Sequence, residues 1–156
     1  MSRRAQIGMT DAEVREFLES QHTIVLCSNG PGGFPHSMPM WFLLDDEGAL
    51  RMTTFSKSQK VRNLRRDPRV SLLAESGLVY EELRGVLLYG RAQITEATER
   101  VLDTLLAITA LHRPALEAEA ATMREVMRRQ ATKRVEIRVR PERVVSWDHR
   151  KLGGVY

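Results

Sequence analysis

The 156-residue chain has a single cysteine, Cys27, only 6% aromatic residues and no long apolar run. One cysteine cannot form an internal disulfide and makes a cysteine-based zinc cluster unworkable, so a reducing, cytoplasmic setting is the expected one. The longest apolar stretch, Met40–Leu44, is far too short to cross a bilayer, which argues against a membrane partner. No signal-like apolar segment follows the basic start at Arg3 and Arg4. Charge of one sign is also scarce, with 24 Lys and Arg against 20 Asp and Glu. That balance favours small anionic ligands. It does not make a nucleic-acid footprint, and the few aromatics do not interleave with the arginines as single-strand binding requires. His22, His36, His112 and His149 have no metal-ligand spacing, and no Ser-His-Asp order or carboxylate pair stands out. The chain lacks a side chain built for chemistry of its own.

What is present is an alternation of helical and strand periods. Thr10-Asp-Ala-Glu13 is a capping-box pattern that opens a helix carrying Val14, Phe17 and Leu18 on one face. His22–Ser28 reads as a strand that holds Cys27 as a small buried residue. It is closed by the turn residues of Asn29–Pro35. His36–Leu44, Ala49–Thr54, Arg69–Glu75 and Leu83–Thr95 read as further strands, the last bending or bulging at Gly85 or Gly90. Helical spacing then returns at Val101, Leu102, Leu105, Ile108 and Thr109. Pro114 begins another helix through Leu116, Ala120, Met123 and Met127. Val135–Val139 alternates cleanly, and Val144–Trp147 makes a last strand. The pattern predicts one α+β domain over residues 1–156, an antiparallel barrel of six to seven strands with flanking helices. Residues 1–9 are expected to be flexible, and 148–156 to form a tail.

The most informative stretch runs from Met52 to Leu73. Between two strands it places Ser56, Lys57, Ser58, Gln59 and Lys60 where a short helix begins. A helix start offers unpaired N–H groups and partial positive charge, and the added hydroxyls and ammonium groups suit a phosphate. By the same token Lys57, Lys60, Arg65 and Arg66 are what an ordinary solvated helix face contains. Met38, Met40 and Trp41 are equally at home in a core. Pro39 argues mildly otherwise, because proline removes a ladder N–H and is unexpected in a strand paired on both sides.

The ordered set Gly33-x-Pro35-His36-Ser37-Met38-Pro39-Met40-Trp41-Phe42, Thr53-Thr54, Ser58-Gln59-Lys60-x-Arg62-Asn63-Leu64 and Asp67-Pro68-Arg69-Val70 resembles the pyridoxamine 5′-phosphate oxidase-like split-barrel flavoproteins. It is most similar to the actinobacterial flavin/deazaflavin oxidoreductase branch that uses coenzyme F-420. The resemblance spans residues 10–148. It implies a homodimer with the cofactor at the interface, a ring lying along Ser37, Met38, Pro39, Met40 and Trp41, and a phosphate held by Thr53, Thr54, Ser58, Gln59 and Lys60. Lys57 and Arg62 would meet the glutamate tail of F-420. Members that bind FMN commonly carry Arg immediately before the lysine, where this chain has Gln59, so the resemblance points to F-420 over FMN. The implied reaction is hydride transfer between reduced deazaflavin and a planar conjugated small molecule, with the cofactor supplying the chemistry. Trp41 and the tail, including His149, Lys151 and Tyr156, would shape the substrate side or supply a proton. Alternatives on the same fold are an FMN-dependent reductase or oxidase and a non-catalytic carrier of F-420, a flavin or a tetrapyrrole.

Overall fold

A computed structural model describes residues 3–113 and 120–153. The elements run α1 (Arg3–Gln6), α2 (Asp11–Glu19), β1 (Thr23–Asn29), β2 (Pro35–Trp41), β3 (Leu43–Leu44), β4 (Leu50–Phe55), α3 (Gln59–Arg66), β5 (Arg69–Ser76), β6 (Arg84–Thr95), α4 (Thr98–His112), α5 (Ala120–Ala131) and β7 (Arg134–Asp148). The seven strands form one antiparallel sheet in the order β2-β1-β5-β6-β7-β4-β3, curled into a half-barrel with helices around it. β2 and β3 are therefore its two edges.

Alternation along the strands fills the inside of the curl. Leu26 on β1, Leu72 on β5, Val86 and Leu88 on β6, Ile137 on β7 and Met52 on β4 are all essentially inaccessible and form one cluster. Two helices plug it. Phe17 and Leu18 of α2 enter from one side, with the capping box at Thr10 and Glu13 formed as its sequence pattern requires. Val61 and Leu64 of α3 enter from the other. On the outside of β4 and β7, Val101 and Leu102 of α4 pack with Met127 and Ala131 of α5 as a second cluster.

Several boundaries differ from the sequence reading. His36–Leu44 is two strands, because the chain passes from the β1 pairing to the β4 pairing at Phe42. The two terminal strands are one 15-residue strand, β7, whose pairing with β6 shifts between Tyr89 and Gly90, so that Glu142 is left over between Pro141 and Arg143 and the strand continues unbroken. Gly90 lies at that irregularity. Gly85 does not bend the sheet; it is glycine because a Cβ there would lie 2.3 Å from the Trp147 ring opposite. Ile7 and Met9 are tied to β7. Asp148 donates its backbone N–H to the Ile7 carbonyl (2.7 Å), and Met9 donates to Ser146 Oγ (3.0 Å). The expected helix start at Pro114, and Leu116 with it, lie outside the described residues.

Candidate cofactor site

The strand-turn-helix unit from β4 to α3 is built from the core outwards. Alternation on β4 turns Met52 and Thr54 inward and Thr53 outward, where Thr53 sits opposite Glu136 on β7. Thr53 and Thr54 therefore do not serve one ligand atom together. On α3, Lys60, Val61, Asn63 and Leu64 are buried while Arg62, Arg65 and Arg66 face out. Lys60 is only 8% exposed, so it is not the solvated lysine that its neighbours suggest. Its ammonium donates to Thr54 Oγ1 at 3.1 Å and has no acidic partner among the described residues. Burial pushes its pKa below the usual lysine value. A desolvated cation without a counter-ion is costly unless an anion completes it.

Ser58 stands at the N-cap of α3, yet its hydroxyl caps no amide and its buried Oγ has no partner among the described residues. Gln59 is engaged, donating Nε2–H to Asn63 Oδ1 at 2.8 Å. Asn63 in turn donates to Ser28 Oγ at 3.1 Å, which ties α3 to β1. His36, opposite Ser28 on β2, buries an Nδ1 with no partner among the described residues. Lys57 and Arg62 are exposed and unpaired among the described residues. Arg62 lies about 200° around the helix from Lys60. The three cations expected to converge do not share a face.

β2 is the open edge beside this turn. Its outward residues Ser37, Pro39 and Trp41 are exposed, and Met38 on the inward face is 40% exposed. Among the described residues Pro39 pairs only with Val25 of β1, so a proline is tolerated because no strand among them pairs with the other side. Met40 points into the core at 7% exposure, which leaves only its backbone to face a ligand. Two aromatic neighbours went unnoticed in the sequence. Phe34 is 78% exposed just before β2, and Phe55 is 55% exposed at the end of β4. Arg134, across from Phe55, stacks its guanidinium 4.3 Å from the Phe55 ring and buries an Nε with no partner among the described residues. Only an arginine at the start of an alternating strand could have signalled it.

The tail residues are otherwise occupied. His149 Nδ1 lies 2.9 Å from the Tyr80 carbonyl and its ring packs on Tyr80. Lys151 bonds the Gly8 carbonyl and Glu13. Tyr156 lies outside the described residues. Among the described residues no group of three His, Cys, Asp or Glu side chains could hold a metal, and no helix is long and apolar enough to cross a membrane.

A curled seven-stranded antiparallel sheet, with a buried lysine and an N-cap hydroxyl that has no partner among the described residues, defines a split-barrel protein. The profile of the pyridoxamine 5′-phosphate oxidase family matches residues 10–148, and the chain belongs to that family. A conserved hypothetical protein from Mycobacterium tuberculosis is 37% identical, spans 100% of this chain and 95% of its own, and superposes with a TM-score of 0.85. An F-420 reductase shares the fold at 24% identity and a TM-score of 0.63, over 83% of this chain and 94% of its own. A FAD-binding protein from Mesorhizobium loti does so at 18% identity and 0.63, over 88% and 92%. No curated protein matches the sequence.

Proposed function

We propose that this chain is an F-420-dependent oxidoreductase acting on a planar conjugated small molecule. The observation that carries the reading is Lys60, two positions after Ser58: its buried ammonium has Thr54 as its one side-chain partner among the described residues, and the Ser58 N-cap hydroxyl has no partner among them. Those groups suit a phosphate ester: a cation, a hydroxyl and the uncapped first turn of α3. When bound, the deazaflavin supplies a hydride. The protein's part is to grip the phosphate with Lys60 and Ser58 and to present the β2 edge at Ser37, Met38 and Pro39 to the ring. Trp41 shuts water from one end. Exposed Lys57, on the turn before Ser58, is left to meet an extended anionic tail, and Arg62, on the other side of α3 from Lys60, is in reach only of a tail that wraps around the helix.

Gln59 favours F-420 over FMN. It is bound to Asn63 and offers no forked cation to a terminal phosphate. Purified protein titrated side by side should bind F-420 more tightly than FMN, with affinity weakening as salt rises. Replacing Gln59 by Arg should improve FMN binding by about tenfold, one charge-assisted contact. Stoichiometric FMN retained on purification, or preference for FMN in competition, would overturn the assignment and leave the FMN-dependent reductase.

The site is read as completed by a second copy of the chain. On the outer face of the sheet, the paired positions Pro39, Val25, Leu73, Leu87 and Val145 form one apolar row across five strands. Val25 is 38% exposed within it. Such a row next to an open strand edge suits a two-fold partner. Light scattering at micromolar concentration should give the mass of a dimer, and Leu87→Asp should shift it to that of a monomer. A monomeric parent protein would refute the shared site. A cytoplasmic location belongs to the same reading and rests on the single Cys27.

A further inference from the structure

Three elements meet where β2 ends. His22 directly precedes β1, His112 is the last residue of α4, and Trp41 is the last residue of β2. The two histidine Nδ1 atoms are 3.0 Å apart, and the Trp41 ring lies 4.9 Å from that of His112 at an angle of 31°. The imidazole centroids are 5.2 Å apart, close to the nitrogen gap plus the two ring radii. Each Nδ1 therefore points straight at the other. Chelation of a metal would turn both nitrogens toward a third point, whereas head-on nitrogens fit one N–H donating to one lone pair.

We propose that the His22–His112 pair is the positioning device for Trp41: one proton held between the two Nδ1 atoms fixes the imidazole on which the indole rests, and protonation of both imidazoles releases it. The consequence for ligands rests on the reading of β2 as the ring strand; the positioning itself does not. With both rings charged, two N–H donors would face each other at 3.0 Å and the contact must open.

The surroundings supply little compensating charge. Burial, and then the charge of His22, lower the pKa of His112, and the Phe42 carbonyl works the other way. That carbonyl does not reach hydrogen-bond geometry, since His112 Nε2 is buried with no partner among the described residues. On α2, Glu19 is taken by Arg15 at 2.9 Å. Arg113, next to His112, is exposed and unpaired among the described residues, and Trp41 and Thr23 bring no charge from the strands. A lowered histidine pKa means the contact is intact above the ordinary value of 6.5 and is lost as pH falls through the lower folded value.

The chain has two tryptophans, so Trp147→Phe leaves Trp41 as the sole reporter. Trp41 emission should step once as pH falls from about 8 to about 5, with its midpoint below the usual imidazole value. His22→Gln and His112→Gln should each abolish the step while the far-ultraviolet circular dichroism is unchanged. If the Trp147→Phe protein does not fold, the Trp41 indole N–H resonance of the parent protein gives the same readout. A parent without a step, or a step that survives in both histidine variants, overturns the proposal. Titration with F-420 and with FMN above and below the midpoint separates the two readings. A step together with weaker binding of either probe at low pH supports both. A step in a protein that binds neither probe keeps the positioning role and removes the cofactor reading.

Discussion

Replacing Lys60 by Met should cost roughly ten- to a hundredfold in cofactor affinity while making the ligand-free protein no less stable. The first effect follows from losing a charge-assisted contact to phosphate, worth about 1.5–3 kcal/mol. The second follows from burial. Lys60 lies against Thr54 with no acidic partner among the described residues, so its charge is a burden on the empty fold that a methionine of similar length does not carry. Exchanging a buried ion for an apolar side chain of similar volume is commonly neutral or stabilising, here by about 1 kcal/mol. The pH dependence has a definite sign. Because burial lowers the Lys60 pKa from its ordinary 10.5, the favourable, uncharged state of the site is present above that value and lost as pH falls through the lowered folded one. The charged ammonium, with no acidic partner among the described residues, is the state in which an anion binds best. Calorimetric unfolding of the ligand-free parent and variant, paired with an F-420 titration, checks both arms. Unchanged affinity in Lys60→Met would return α3 to the role of a plain packing helix.

The largest stability effect should come from Glu136. Its carboxylate is 1% exposed on the outer face of β7, where it accepts from Arg51 at 2.7 Å and Arg100 at 3.1 Å, and from Thr104 of α4. This is the tie that seats α4 on β4 and β7. Glu136→Ala strands Arg51, itself mostly buried, and should cost about 3–5 kcal/mol. For a domain of this size that lowers the thermal midpoint by roughly 6–20 °C. The double variant Arg51→Met, Glu136→Leu should recover most of the loss by replacing the ions with apolar volume. Burial works to raise the Glu136 pKa, but hydrogen bonds from Thr104, Arg51 and Arg100 outweigh it and leave it lowered. The ion network accordingly stabilises the fold in full above the ordinary carboxylate value of 4.5, and its contribution fades as pH falls through the lower folded one. An acid titration of the parent should therefore show a steeper loss of stability below that value than the double variant, which keeps only the contribution of the other paired carboxylates. A Glu136→Ala protein with an unaltered midpoint would mean that α4 is held by its apolar face alone.

The α+β class, the strand count within one, the capped first helix and the strand-turn-helix order between β4 and α3 were legible in the sequence. Period-two and period-3.6 burial, turn residues and cap patterns are local signals, and each is written within a few neighbouring positions. It also located the edge strand through Pro39, since a proline must sit where one ladder partner is missing. Which cations are buried depends on tertiary packing. Lys57, Lys60 and Arg62 look alike in a charged stretch, yet the direction of α3 turns Lys60 inward and leaves the other two in solvent. The same holds for Thr53 and Thr54, parted by the pleat, and for Met40, which the curl of the sheet commits to the core. Arg134 over Phe55 and the contact of His22 with His112 join residues 79 and 90 positions apart, respectively. No periodicity encodes such meetings. They exist because β4 pairs with β7, and because the end of α4 comes to rest where β1 begins and β2 ends.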